Sequence, residues 1–303
     1  MRASVELVSK LPYHYCMTPF RHILFPVDFS EICHAFRSDV RAMAERLDAR
    51  VTLLHVTEVY AGVDLGFPMP SDLEEHKQRD ISLLRTFSEP FVSLKPGSLN
   101  TAIAVGDPAA AIIDFTEANG VDLIMMPTRG YGPFRSLLLG SVTAKVLHDG
   151  ACAVWTTAHT CDLASPAHSS VGSIICAVDL DPDAPELIRR AVELGALFNA
   201  TVRLVHAVPA AHSARYDYLG ENFGAYLMDA SRKEMVRVQD KAGTKLEARI
   251  EANTVSDAVR SVAVDCAADL VVIGRGRLDK VLGRLRTNAY AIIRNSPCPV
   301  MSL

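Results

Sequence analysis

No apolar run in this sequence of 303 residues approaches the roughly 20 residues that a helix needs to cross a bilayer. The opening residues, MRASVELVSKLPYHYC, hold no continuous apolar stretch of signal-peptide length, so residues 1–20 read as a short extension of a cytoplasmic protein. Charge of one sign is lacking as well. Lys and Arg number 31 against 35 Asp and Glu, a formal net charge of −4, which leaves no electrostatic footprint for nucleic acid or an anionic membrane. The seven cysteines (Cys16, Cys33, Cys152, Cys161, Cys176, Cys266, Cys298) include no CxxC pair, and no His pair lies at zinc-finger spacing. So odd and scattered a set argues against a disulfide framework or a structural zinc site, and suits free thiols packed as small hydrophobes. What is present is a chain 49% hydrophobic and 22% charged, of a length that suits two domains of about 150 residues.

The two domains are copies of one pattern. HILFPVD (22–28) and SIICAVD (173–179) are apolar runs ending in aspartate, 151 residues apart, and ARVTLLHV (49–56) and ATVRLVHA (200–207) keep that offset. Between them Phe36, Val40, Met43 and Leu47 mark a helical face; adding 151 gives Leu187, Ala191, Leu194 and Phe198, apolar at every position. Later the offset shrinks. VDLIMMP (121–127) answers ADLVVIG (268–274) at 147, and GACAVW (150–155) answers SPCPVM (296–301) at 146. The copies are placed at 21–157 and 172–303, joined by a polar, small-residue linker at 158–171.

In the first copy, strands are expected near 22–28, 50–57, 99–105, 121–127 and 151–156, and helices near 31–48, 71–90, 108–119 and 140–149. Short apolar runs without polar alternation suit parallel strands buried on both faces. The expected fold is α/β: two Rossmann-like domains, each an open five-stranded parallel sheet with helices on both faces. Ligands on such sheets sit outside the carboxyl ends of the strands, where strand order reverses.

The residues at those ends carry the candidate chemistry. Strand 1 ends in Pro26, Val27 and Asp28. Ser30 is better placed than Asp28 to cap the next helix, and Asp181-Pro182 would cap its counterpart. That leaves Asp28 and Asp179 as strand-end carboxylates with no evident structural duty, hence candidate ligand groups. After strand 4 comes PTRGYGPFRSLLLGSVT (127–143), in which nine residues separate Gly130 from Gly140 and Gly140-Ser141 opens a helix. Glycine lets backbone amides approach an anion, a helix start presents unpaired N–H groups, and the hydroxyls of Ser141 and Thr143 add donors. A surface loop before a serine-capped helix has the same look. His55 and His206 recur at the end of strand 2 with no adjacent Ser or Cys nucleophile, which points to a shared packing or hydrogen-bond role. Gly106, Asp107 and Pro108 read as a turn and cap, and Tyr131 and Trp155 as ordinary packing.

The loop resembles the G-x2-G-x9-G-[S/T] nucleotide loop of ATP-binding universal stress proteins, and the resemblance runs from about residue 20 to 303, twice over. It implies an adenine nucleotide alpha hydrolase-like fold that holds ATP (or ADP or AMP) with Mg in the first copy. On that resemblance Asp28 lies near the ribose and the metal–phosphate region as a Mg ligand, with Pro26 beside it. Val56 meets adenine, Met126 ends strand 4 beside the nucleotide, and Gly130, Gly140, Ser141, Val142 and Thr143 receive the phosphates. Pro127 stands where the motif has its first glycine, which removes one N–H and fixes φ near about −65°. The second copy departs further: in GRGRLDKVLGRLRTNAY (274–290) Arg286 stands at the place of Gly140, Thr287 at Ser141 and Ala289 at Thr143. Its arginines (Arg275, Arg277, Arg284, Arg286, Arg294) suit either a solvated basic face or an anion site of altered geometry. The implied function is a nucleotide-dependent stress-response regulator or protective factor, at most a weak ATPase, with a nucleotide-free interaction module as the alternative. Partners expected from it are the adenine nucleotide and a protein not identifiable from sequence. The last strand of each copy, at a sheet edge, invites an intramolecular pseudo-dimer or a homodimer.

Overall fold

The computed structural model describes residues 20–58, 70–128, 139–157, 171–209, 223–275 and 287–303. Strand β1 (His22–Val27) shows how the sequence builds the sheet. Ile23, Phe25 and Val27 enter one core and Leu24 the other, because successive strand residues point to opposite faces. A strand covered on both sides is apolar along its length, hence ILFPV after the buried, hydrogen-bonded His22. Helix α1 (Glu31–Leu47) then crosses to β2 (Arg50–Thr57), burying Phe36, Val40, Met43 and Leu47 on one face. Ser30 caps it by accepting a hydrogen bond from the Cys33 amide, and Asp48 ends it in the left-handed region at φ 52°. The first half continues as α2 (Pro70–Ser88), β3 (Leu99–Val105), α3 (Pro108–Asn119), β4 (Leu123–Met126), α4 (Ser141–Asp149) and β5 (Ala153–Thr156). Gly106 turns the chain at φ 133° and Asp107 caps α3, as its sequence suggests.

The second half runs β6 (Ser173–Ala177), α5 (Ala184–Phe198), β7 (Thr201–Ala207), α6 (Phe223–Ala242), β8 (Ala248–Glu251), α7 (Val255–Asp265), β9 (Leu270–Ile273), α8 (Thr287–Asn295) and β10 (Val300–Ser302). The repeat extends to backbone detail: Asn199 ends α5 at φ 53°, as Asp48 ends α1. One expectation fails. Asp181-Pro182 does not start the helix but lies in a turn, where the Asp183 amide donates to Asp181 Oδ1 and the Ala184 amide to the Asp181 carbonyl. Helix α5 begins only at Ala184, with Pro185 in the first turn, where a missing N–H is harmless. Leu187 is accordingly only partly buried and Ile188 takes the interior position.

The ten strands form one sheet in the order β3-β2-β1-β4-β5-β10-β9-β6-β7-β8. Neighbours within each half are parallel; β5 and β10 meet antiparallel, with Thr156 opposite Val300, Trp155 opposite Met301 and Val154 opposite Ser302. Trp155 and Met301 are equivalent residues of the two copies, so a local two-fold axis passes through this pair. One core packs α1, α2, α5 and α6 on the sheet and the other packs α3, α4, α7 and α8. The expected fold class, parallel sheets with helices on both faces in tandem, is the one observed. Among the described residues no helix is long and apolar enough to cross a membrane.

Candidate functional site

In the first half, strand order reverses between β1 and β4, and the carboxyl ends of β1, β2 and β4 open there beside the amino terminus of α4. Asp28 sits exposed just past β1. Its Oδ1 accepts from the Ser30 amide at 2.9 Å and from the Ser30 hydroxyl at 2.7 Å. The sequence assigned Asp28 no structural duty; in the structure it orients the residue that caps α1. This tight turn carries Phe29 at φ 59°, an uncommon backbone for an aromatic residue. The second Asp28 oxygen is not used by the turn. Beneath it Cys33 is fully buried and its thiol lies 3.8 Å from the Pro26 carbonyl. Burial, reinforced by the Asp28 charge, pushes that thiol well above its ordinary pKa, so it is no nucleophile at neutral pH.

Val56 at the end of β2 and Val142 in the first turn of α4 pack with Met126, at the end of β4, in a single apolar cluster. Behind it the loop between β4 and α4 is stitched at its neck. The Gly140 amide donates to the Thr128 carbonyl at 2.9 Å, and the buried Thr143 hydroxyl donates to the Pro127 carbonyl at 3.0 Å. Thr143 therefore ties the two ends of the loop together in this structure. Gly140, not Ser141, is the cap of α4, at φ −57° and ψ 141°, and no side chain bonds the first-turn amides. Ser141 is exposed as the first helical residue. The amides of Ser141, Val142 and Thr143 thus lack intrahelical acceptors, and the helix dipole adds positive potential. Gly130 and Tyr131 lie outside the described residues.

The recurring histidines share one bond. His55 Nδ1 lies 2.7 Å from the Val27 carbonyl and His206 Nδ1 2.8 Å from the Val178 carbonyl. A carbonyl only accepts, so each ring donates from Nδ1 and satisfies the chain where it leaves its strand. His55 also stacks on Phe29 with ring centres 4.6 Å apart, and its Nε2 lies 3.6 Å from Asp80 Oδ2, which accepts from the Thr57 hydroxyl at 2.6 Å. Sequence pattern gave no sign of Asp80, which reaches this cluster from α2.

The second half places Asp179 beside a cavity of ≈ 300 Å³ lined also by Asp181, Asp183, Glu186, Arg190 and Arg275. A narrower one of ≈ 40 Å³ lies between Val205, Ala207, Gly274 and Asn288, the counterpart of the first crevice. Arg275 is half-buried beside the larger cavity rather than part of a solvated face. Its Nη1 donates to the carbonyls of Gly150 at 2.8 Å and Cys152 at 2.6 Å, and its Nε to the Ser302 hydroxyl at 2.6 Å. Arg294 is exposed, as a solvated basic face requires; Arg277, Arg284 and Arg286 lie outside the described residues.

Among the described residues no three His, Cys, Asp or Glu side chains gather as a metal cluster. One exposed carboxylate, Asp28, suits Mg, which keeps waters and phosphate oxygens and takes only one or two protein carboxylates. The uncapped α4 terminus likewise suits a phosphate chain.

The sequence model of the universal stress protein family matches residues 19–157 and again residues 171–302. A universal stress protein of Methanocaldococcus jannaschii is 28% identical over 140 residues, 45% of this chain and 80% of that protein. One from Thermus aquaticus is 30% identical over 136 residues, 45% of this chain and 96% of its own length. Among solved structures, a universal stress protein of Archaeoglobus fulgidus has a TM-score of 0.68 and 19% identity, covering 93% of this chain and 97% of its own. At that identity the likeness is one of fold.

Proposed function

The chain belongs to the universal stress protein family, and from that premise we propose that it is an ATP-binding stress-response regulator or protective factor with its nucleotide site in the first half. The observation that carries the proposal is the uncapped amino terminus of α4 at the carboxyl ends of β1, β2 and β4, where strand order reverses. Met126, with Val56 and Val142 packed against the same core, would meet the base, and the amides of Ser141, Val142 and Thr143 the phosphates. Asp28, exposed just past β1 with Oδ1 held by Ser30, would supply a carboxylate for Mg. Bound Mg would neutralise phosphate charge there. The chain's own residues bind and orient; no general base stands near the anion end among the described residues, so turnover is slow or absent.

A nucleotide-free interaction module is the second reading. It is favoured by one observation: the Gly140 amide and the Thr143 hydroxyl already have partners at the loop neck. Calorimetric titration of the nucleotide-stripped protein with Mg·ATP decides between them. The expected result is one ATP per chain, lost in Gly140→Arg, which copies the arginine found at that place in the second half. Two per chain would end the asymmetric reading, and no binding at millimolar ATP would leave the interaction module.

A further inference from the structure

Two side chains of the second half reach across the β5–β10 seam and hold α4, the helix whose amino terminus forms the anion end of the first crevice. The Tyr290 hydroxyl, from α8, donates to the Ala144 carbonyl at 3.2 Å, next to Val142 and Thr143. Arg275, the second residue after the β9 strand end, donates to the carbonyls of Gly150 and Cys152, where α4 gives way to β5. Gly150 caps α4, so the guanidinium also lies at the negative end of that helix's dipole. The same guanidinium bonds Ser302 in β10, which makes it a strut between the two strands of the seam. These contacts are not mutual. Residues 144 and 290 are equivalent positions of the repeat, 146 apart, and the pair is Ala on one side and Tyr on the other. Position 275 answers 128, which is a threonine in the first half. At α4 the second half supplies these side-chain donors and the first half supplies backbone acceptors.

We propose that Tyr290 and Arg275 are positioning residues for the first-half nucleotide site: the second half, having lost its own closing glycine, sets the placement of α4 in the first. Tyr290 gets its leverage from its bond to the first turn, and Arg275 from fixing the other end of a helix only nine residues long. Burial and the nearby Asp149 raise the Tyr290 pKa, so its hydroxyl stays a donor throughout the neutral range. Because coupling free energy is reciprocal, occupancy of the first crevice must also tighten α8. The nucleotide part of this inference rests on the function proposed above; the positioning part does not.

Amide hydrogen exchange on the full chain separates the two. In Tyr290→Phe, which keeps the ring and removes the donor, exchange over residues 141–150 should quicken about 3- to 10-fold without nucleotide, while residues 31–47 stay unchanged. ATP affinity should fall by about the same factor, and the slowing of exchange at 287–295 that ATP produces in the parent should vanish. Arg275→Gln is the second variant, expected to quicken exchange at 146–153 in the same way. Unchanged exchange over 141–153 in both variants overturns the positioning role, whatever ATP does. Quickened exchange in a parent that binds no ATP upholds the positioning role and overturns the nucleotide reading. Quickened exchange with ATP affinity unaltered overturns the coupling.

Discussion

Replacing Thr143 by valine tests whether its hydroxyl serves the loop or the ligand. The hydroxyl is buried and donates to the Pro127 carbonyl at 3.0 Å, and Thr143 is 4% exposed. Valine fills nearly the same volume, so no cavity term enters. What remains is the cost of a buried carbonyl without its donor, about 1–3 kcal/mol. For a protein of this size each kcal/mol lowers the melting temperature by about 2–4 °C. Thr143→Ser keeps the donor and removes a methyl, at a cost of about 1 kcal/mol. Urea melts followed by circular dichroism give the stabilities, and Mg·ATP titrations give the affinities. Valine should be the less stable variant and should weaken ATP about 3- to 10-fold, because a loosened neck displaces the first-turn amides; serine should bind like the parent. A valine variant as stable as the parent that nonetheless loses ATP would refute this account, and would mean that Thr143 turns its hydroxyl to the phosphates.

Two further outcomes are expected. Ser30→Ala removes the α1 cap and the hydroxyl that fixes Asp28, so stability should drop by about 1–2 kcal/mol in urea melts, with ATP weakened as well; a stable variant with intact binding would dismiss the Asp28–Ser30 turn as a support of the site. Alkaline pH should unfold the chain through its buried thiols. Burial pushes Cys176 up to about 12, and it pushes Cys152 up to about 11 against the opposing pull of Arg275. A raised thiol pKa in the folded state means that the unfolded chain releases its proton first, so stability is full below about pH 8.5 and falls as pH rises from there through 11 to 12. Cys176→Ala should flatten that limb in a pH series of urea melts; an identical slope would place the titrating group elsewhere.

Sequence carries the fold far because parallel strands leave an unmistakable trace. ILFPV and IICA are apolar at every position because they are covered on both faces, and the helix that follows β1 shows its inner stripe at three- and four-residue steps. Register errors would therefore be visible at once, and the shrinking offset between copies locates each loss. Helix starts are less legible, since Asp181-Pro182 and Asp183 to Pro185 both satisfy capping chemistry and only the course of the turn selects the later one. At the site, residue types told which strand ends matter but not how each side chain is spent. A carboxylate two residues before a serine can cap, bind a ligand, or orient that serine, and Asp28 does the last with one oxygen while keeping the other. Arg275 was hidden for a different reason: its acceptors are backbone carbonyls more than a hundred residues away, which leave no side-chain signature in the sequence.

That hidden arginine bears on how a duplicated chain diverges. Equivalent residues meet at the β5–β10 axis, where Trp155 faces Met301 and Ala144 faces Tyr290. If two identical copies met there, one choice of residue would have to serve both sides, and two tyrosines at position 290 would compete for the space that Ala144 now leaves. Joining the copies in one chain removes that constraint, so one side can grow donors and the other can stay small. Arg46 shows the opposite polarity on the other face of the sheet, reaching from α1 to the Phe198 carbonyl at 2.6 Å and lying 5.0 Å over that ring. Arg46 and Thr156 thus donate from the first half, while Tyr290 and Arg275 form a second set that donates from the second half. Only the second set touches α4, and it comes from the half whose loop has exchanged its closing glycine for arginine. Loss of the closing glycine and gain of the α4 contacts thus fall in the same half of the chain, at different residues.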